Sequence, residues 1–504
     1  MSTTAVRGVV PTDGAAASRY PWREAAAAAA VGAVTGAVVF FLVHRAIADD
    51  ALISVSYART LAESGTWGVA PGLTSNSQTS PLNVWLLAGG TLLIDRPIIV
   101  VGLLLCACLA AAGWLACDLA RRVGVHPAAG VLAVALIGTS PVLASTVGLE
   151  AHLTIVALLA VATLAVQGRV AWTGVACGLA VLARPDLAVA AGVLALLVLV
   201  GSGSVAAAAR RAGLVAVAAA ATALPWHLFA WLQLGGAVPD ATWVRTAEAE
   251  GPLRAAVGWW SFEPRTVTVS VLLVLGGTVG ALVAARARCR APWQRVVVAL
   301  AAAGWAHMVA LEAIGAPGAG WYYAPILGCS AVAVALTVCA TLGARPGPVV
   351  YPAAGLVLAV GALLGFAGGP VPWPWAPMMA NYGSATDYAA AGRDLATLTG
   401  GQAVVGPGEL GALAFYSTVP VLDDLSEPAR TDLVMHERTD GSRVRSTLLA
   451  WSTAHRHSPP PIRTRWALTY AGEREVSGAV VRGWPVSSTK RGPDTLLLVD
   501  TASR

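Results

Sequence analysis

Two adjacent carboxylates, Asp49 and Asp50, follow the first hydrophobic segment of the chain in the run His44-Arg45-Ala46-Ile47-Ala48-Asp49-Asp50-Ala51-Leu52-Ile53-Ser54. Placed at mid-bilayer, each would cost roughly 2.5–3.5 kcal/mol. Such groups either sit in a wet cavity and do chemistry, or mark a helix end and anchor it among lipid headgroups. Their adjacency limits the chemistry: neighbours on a helix point about 100° apart and do not face each other. They therefore cannot flank one bond as the facing carboxylate pair of a glycoside hydrolase does. Further charged groups stand at the ends of apolar runs or in the loops between them: Glu150, Arg184 and Asp186 of Arg184-Pro185-Asp186, Arg59 after Tyr57-Ala58, and Arg245.

The chain that must position these groups has 504 residues, 56% hydrophobic and 12% charged, with a mean hydropathy of +0.67. Soluble domains carry about 25% charged residues. Long apolar runs recur from Ala25 to about Gly368, which indicates a polytopic membrane protein. The net charge of +6 is nearly all arginine, with Lys490 the only lysine, and in a membrane protein that balance reports orientation and not nucleic-acid binding. Seven cysteines, at 106, 108, 117, 177, 289, 329 and 339, show no zinc-site spacing and read as small buried side chains. The apolar run from Ala25 to Val43 is longer than a signal-peptide core and follows a polar arm, so an uncleaved first span is expected.

Spans are expected near 25–44, 98–119, 128–146, 152–168, 170–184, 186–202, 213–235, 266–285, 296–313, 322–343 and 348–368. The short apolar segment 80–94 follows Ser80-Pro81 and is expected as an amphipathic helix lying at the membrane surface. With the N-terminus inside, short arginine clusters hug the inner span ends, among them Arg7, Arg19, Arg121, Arg122, Arg210, Arg211, Arg286 and Arg345. Most acids then fall outside: Asp49, Asp50, Asp95, Glu150, Asp186, Asp240, Glu248, Glu250, Glu263 and Glu312. The expected architecture is a polytopic α-helical membrane protein of about eleven transmembrane helices with a small C-terminal α/β extracytoplasmic domain. Its parts are a cytoplasmic arm over 1–24, a membrane domain over 25–368 with outer loops 45–97 and 236–265, and the extracytoplasmic domain over 369–504. Polar groups gathered on one side suggest chemistry at the outer leaflet.

In the C-terminal part, helical spacing is expected over 384–398 and a short helix through Phe415, with strands at 402–405, 419–422, 465–470 and 495–499. Gly406-Pro407-Gly408-Glu409 lacks the spacing of a nucleotide loop. His455 and His457 read as a solvated pair, and His227 as structural.

The outer-face residues resemble a family. Asp49-Asp50-Ala51, then Tyr57-Ala58-Arg59 and Leu61-Ala62, resemble the first outer loop of GT-C membrane glycosyltransferases, most of all the actinobacterial arabinofuranosyltransferase branch. Three further matches follow in order: Gly148-Leu149-Glu150, Gly178-Leu179-Ala180 through Arg184-Pro185-Asp186, and Pro225-Trp226 with Gly235-Gly236-Ala237-Val238-Pro239-Asp240. Together they cover about residues 40–325. The family's Thr-Asn-Pro-Leu-Trp stands here as Thr79-Ser80-Pro81-Leu82-Asn83, with Trp85 shifted.

The resemblance implies an enzyme that takes a sugar, arabinofuranose or mannose-like, from a polyprenyl-phosphate carrier. It passes the sugar with inversion to a cell-envelope glycan or lipid acceptor at the outer face. One carboxylate would accept the acceptor's proton, and arginine would stabilise the departing phosphate. No nucleotide is needed, and the remaining partner is the bilayer itself. Asp50 is preferred as the base. Asp49 would orient it, bind the acceptor or hold a divalent cation such as Mg, Mn or Ca. Glu150 is either a sugar binder or a helix N-terminal charge. Arg184 is expected on the carrier phosphate or in a salt bridge with Asp186, with Arg59 and Arg245 as alternates. Tyr57, Trp321, Tyr322 and Tyr323 either stack on sugars or join the interfacial aromatic belt. Two other readings remain: a transporter or flippase of lipid-linked sugars, which needs a polar path through spans that look too apolar for one, and a non-catalytic envelope-assembly scaffold.

Overall fold

A computed structural model describes residues 21–245, 251–343, 345–367, 370–472 and 478–502. Most of the N-terminal arm, with Arg7 and Arg19, and the loop acids Glu248 and Glu250 lie outside the described residues. The membrane part runs α1 (Pro21–Val43), α2 (Asp49–Ser64), α3 (Pro81–Ile94), α4 (Pro97–Arg122), α5 (Ala128–Gly138), α6 (Pro141–Ala144), α7 (Ala151–Val166), α8 (Val170–Ala183), α9 (Leu187–Ala195), α10 (Val205–Phe229), α11 (Asp240–Arg245), α12 (Pro252–Phe262), α13 (Pro264–Arg286), α14 (Pro292–Ala313), α15 (Ala324–Thr341) and α16 (Gly347–Ala367). Proline opens α3, α4, α6, α12, α13 and α14, where its fixed φ suits the first turn and its missing N–H leaves nothing unpaired.

Among the described residues seven helices are long and apolar enough to cross a membrane, those containing α1, α4, α10, α13, α14, α15 and α16, so the chain is a multi-pass membrane protein. Helices also stand at the four remaining expected positions, but they are shorter. α5, for example, has 11 residues and stops before Ser140-Pro141, about 16 Å of rise against a hydrocarbon core of about 30 Å. The centre of the bundle is α15, whose span is 72% buried, whereas the span containing α10 is only 6% buried and offers its sides to lipid. α1 and α4 meet backbone to backbone. A Cβ on Gly32 would lie 2.2 Å from the Leu109 carbonyl oxygen, and one on Gly113 would lie 2.5 Å from that of Ala28.

The expectation for 80–94 is corrected in one respect. α3 packs Val84, Leu87 and Ala88 inward, but it also buries Asn83 and Thr91, and its exposed side carries Leu86, Leu92 and Leu93. An outward face that is wholly apolar suits lipid, so the helix is not amphipathic.

The C-terminal part begins with α17 (Ala385–Thr399) and continues through β1 (Val404–Val405), α18 (Gly411–Tyr416), β2 (Val421–Leu422), α19 (Pro428–Thr439), α20 (Arg443–Ser452), β3 (Trp466–Tyr470), β4 (Ala479–Ser488) and β5 (Gly492–Asp500). The sheet order is β2-β1-β3-β5-β4, with β1 parallel to both β2 and β3 and the β3-β5 and β5-β4 pairs antiparallel. A reciprocal cap starts α17: Ser384 Oγ accepts from the Asp387 N–H, and an Asp387 oxygen accepts from the Ser384 N–H. Hydrophobic periodicity did not reveal α19, α20 or β4. The two helices are polar, and the first half of β4 is exposed, so neither carries a strong inward stripe.

Candidate active site

α2 does two jobs because its two leading carboxylates diverge. Asp50, Ile53, Ser54 and Tyr57, spaced i, i+3, i+4 and i+7, form one stripe and line a cavity of about 230 Å³. Asp49, one position back, points instead at the C-terminal part. There its carboxylate accepts hydrogen bonds from the N–H groups of Leu410 (3.1 Å), Gly411 (2.9 Å) and Ala412 (2.7 Å), at the start of α18. Gly411 is needed at this contact, since a Cβ there would lie 1.8 Å from the Asp49 carbonyl oxygen. Burial pushes the Asp49 carboxyl up to about 6 despite those three donors.

The cavity wall opposite α2 comes from the turn between α8 and α9. Arg184 precedes Pro185 and is extended (φ −162°, ψ 130°), as steric conflict with the proline ring demands, and this ends α8. Its guanidinium then turns inward. Nη1 donates to Glu150 Oε1 at 2.6 Å, Nε and Nη2 donate to Asp186 Oδ1 and Oδ2 at 2.9 and 3.0 Å, and the group lies 4.4 Å from the Tyr322 ring centroid. His307 of α14 completes the group, with Nε2 3.0 Å from Asp186 Oδ2. Burial raises Asp186, but Arg184 and His307 outweigh it and hold the carboxyl well below the usual carboxylate range. Glu150, at the N-terminal end of α7, makes no capping bond with its side chain.

The loops after α2 and before α11 close the rest. Asn76 donates to the Gly236 carbonyl at 2.9 Å, and its own carbonyl accepts from the Asp240 N–H at 2.9 Å, which ties the loop after α2 to the one before α11. That junction sets α11 beside α2, where Arg245 Nη2 donates to Asp50 Oδ1 at 2.7 Å. Gln78 reaches Ser54 Oγ at 2.7 Å. Leu410 and Leu425 of the C-terminal part contribute to the lining. A second ion pair fixes that part: Arg456 Nη1 meets Asp240 Oδ1 at 2.8 Å, and its Nε pairs with Asp432.

The structure therefore brings Asp50, Glu150, Arg184, Asp186, Tyr57, Arg245 and Tyr322 to one cavity. Two expected site residues lie elsewhere. Asp49 does not line the cavity, and its oxygens are taken by backbone donors. Arg59 donates to the carbonyls of Phe415 (2.6 Å) and Ala414 (3.2 Å) and so holds the far end of α18. Among the described residues no group of three or more His, Cys, Asp or Glu side chains could hold a metal ion, so the donor set does not fit a cation at Asp49. Tyr57 and Tyr322 face the cavity and not the membrane surface; Tyr57 is fully buried, with its hydroxyl on Ser75 and its ring edge-on to Trp67 at 5.6 Å. Pro225-Trp226 is part of an aromatic row, Trp226 lying 4.6 Å from Trp67 and 5.1 Å from Trp85. His227 meets the Ala237 carbonyl, and His455 packs on Trp231.

Two groups escaped the sequence reading. His307 had a usable signal, an ionisable residue inside an apolar span. Glu409 had none beyond its Gly-Pro-Gly turn. Its carboxylate accepts from Asn381 Nδ2 (3.1 Å), the Tyr382 N–H (2.8 Å) and the Tyr388 hydroxyl, and burial together with nearby Asp49 pushes it up to about 8.

No family model matches the chain, and no curated protein sequence does. Solved structures do. The crystal structure of ArnT from Cupriavidus metallidurans bound to undecaprenyl phosphate aligns over 96% of this chain and 98% of that one, with a TM-score of 0.55 at 14% identity. The Archaeoglobus fulgidus oligosaccharyltransferase in its apo form aligns over 90% of this chain and 70% of that one (TM-score 0.47, 13% identity). Arabinosyltransferase EmbB from Mycobacterium smegmatis aligns over 88% and 42% (TM-score 0.42, 14% identity). The likeness shows that the chain shares the fold of the ArnT structure; it reaches the fold and stops short of the arabinofuranosyltransferase branch.

Proposed function

We propose that this chain is a membrane glycosyltransferase that moves a sugar, arabinofuranose or mannose-like, from a polyprenyl-phosphate carrier to a hydroxyl of a cell-envelope glycan or lipid, with inversion. The observation that carries this reading is one cavity of a GT-C fold that brings together Asp50, partly exposed and paired with Arg245, and a second guanidinium, Arg184, paired with Glu150 and Asp186. The C-terminal part and the cavity face the extracytoplasmic side, and the N-terminus faces the cytoplasm, in keeping with the arginine clusters at the opposite span ends.

Asp50 acts as general base. It takes the proton of the acceptor hydroxyl while that oxygen bonds to the anomeric carbon and the bond from that carbon to the phosphate oxygen breaks. The electron pair leaves with the polyprenyl phosphate. Arg245, paired only with Asp50 among the described ion pairs, takes the carrier phosphate. Arg184 is buried with two carboxylates and serves to hold Glu150 and Asp186 in place as sugar-binding groups; its earlier assignment to the phosphate passes to Arg245. Tyr322 supplies a ring face and a hydroxyl to the sugar, and Tyr57, buried behind the cavity wall, backs that surface. Asp49 and Arg59 are assigned to holding α18 against α2.

The test is transfer by the purified protein from a panel of polyprenyl-phosphate sugars to envelope-glycan acceptors. Product formation that disappears in Asp50→Asn supports the reading. Absence of transfer from every carrier sugar, or wild-type turnover in Asp50→Asn, overturns it.

A further inference from the structure

The two arginines of the cavity are held very differently. The Arg184 side chain is 5% exposed and spans two carboxylates. That triad carries a net negative charge, and an incoming phosphate would add a further anion to it. The Arg245 side chain is 32% exposed, and its ion-pair partner among the described residues is Asp50, itself 31% exposed. Of the two, Arg245 is the one whose fork can turn to a new anion without stranding a buried charge. Yet its present partner is the carboxylate assigned as the base. A carboxylate oxygen that accepts from a guanidinium at 2.7 Å is already occupied by that donor.

We infer that Arg245 is exchanged between Asp50 and the phosphate of the polyprenyl carrier, so that donor binding itself releases the base. This rests on the glycosyltransferase reading above and adds an order of events to it. Before the donor arrives, Asp50 Oδ1 is held by Arg245, and an acceptor hydroxyl meets an occupied oxygen there. The sugar-bearing carrier is a phosphodiester whose two non-bridging oxygens match the guanidinium fork, so it competes for Arg245, and the monoester left after transfer carries more charge still. When it wins, Asp50 is uncovered at the moment the anomeric carbon is in place. After transfer, the departing polyprenyl phosphate takes Arg245 with it until release, and the ion pair then re-forms. Asp423 adds a further nearby acid that favours keeping Arg245 charged throughout.

The exchange makes Asp50 a competitor of the phosphate, and this gives a binding signature opposite to the catalytic one. Polyprenyl phosphate without a sugar is titrated into detergent-solubilised wild type, Asp50→Asn, Arg245→Ala, Arg245→Lys and the Asp50→Asn/Arg245→Ala double variant. Asp50→Asn, inactive in transfer, is expected to bind the carrier about two- to tenfold more tightly than wild type. Arg245→Ala is expected to bind at least about tenfold more weakly, with Arg245→Lys between. The double variant is expected to match Arg245→Ala, because Asp50 acts on the phosphate only through Arg245. Wild-type binding combined with unchanged or weaker binding in Asp50→Asn overturns the exchange and leaves the glycosyltransferase reading standing. Failure of the wild type to bind the carrier overturns both.

Discussion

Gly411 lies under Asp49 so closely that its N–H donates to the Asp49 carboxylate at 2.9 Å while its Cα faces the Asp49 carbonyl, with room for hydrogen and nothing larger. The contact joins α2 to the C-terminal part across more than 360 residues of sequence. It also separates two neighbouring aspartates into different occupations: Asp49 holds α18, and Asp50 faces the cavity.

Asp49→Asn and Asp50→Asn are therefore expected to fail differently. Asp49→Asn loses charge-assisted bonds to three amides, about 1–3 kcal/mol, and lowers the melting temperature. Asp50→Asn disturbs only a partly exposed pair, leaves the melting temperature nearly unchanged and lowers turnover by about 10²–10⁴-fold. Thermal melts and transfer rates on the same preparations check this. Equal melting temperatures for the two variants would contradict it.

Gly411→Ala should destabilise by about 1–3 kcal/mol or more, because the added methyl meets backbone and not a movable side chain. Limited proteolysis should show faster cleavage in the C-terminal part than in wild type.

Glu409, hydrogen-bonded within the C-terminal part and raised in part by nearby Asp49, gives that part a pH dependence. Its folded carboxyl is raised to about 8 from an ordinary value near 4.5, so the folded state binds the extra proton between those values. Stability is then greatest near the lower end and falls as pH rises through about 8, flattening beyond. Asp49, raised to about 6, acts in the same direction over a lower window. Melting curves from pH 5 to 9 should slope downward, and Glu409→Gln should remove the upper part of that slope. An unchanged slope in the variant would count against the assignment.

Asp186 works with the opposite sign. Its carboxyl is held low by Arg184 and His307, so its contribution is full above about pH 4 and fades as pH falls further. Asp186→Asn leaves Arg184 buried with Glu150 as its remaining ion-pair partner and is expected to cost about 1–3 kcal/mol. His307→Ala should weaken stability less, since it removes one hydrogen bond and not the ion pair. Urea unfolding of the three proteins at neutral pH orders them.

Much of the molecule was legible in the order of residues. Apolar runs located a helix at every expected span, because hydropathy averaged over a turn or two is a local property. It did not set their lengths: Ser140-Pro141 breaks one expected span, and Arg184-Pro185 fixes where α8 stops. The acids and arginines of the cavity were also found in sequence, since charge in so apolar a chain stands out. Glu409 did not stand out, because its surroundings in sequence are ordinary and its burial comes from Tyr388, Tyr470 and Asn381.

Sequence by itself determined the class of protein and the set of groups able to do chemistry, because these follow from composition and from neighbours along the chain. Tertiary structure alone decided the division of labour within that set. Whether an aspartate holds a helix or faces a cavity depends on a difference of about 100° around α2 and on which amides or guanidinium groups the fold delivers to each side. Those partners, Gly411 for Asp49 and Arg245 for Asp50, lie hundreds of residues away, where no local pattern can point to them.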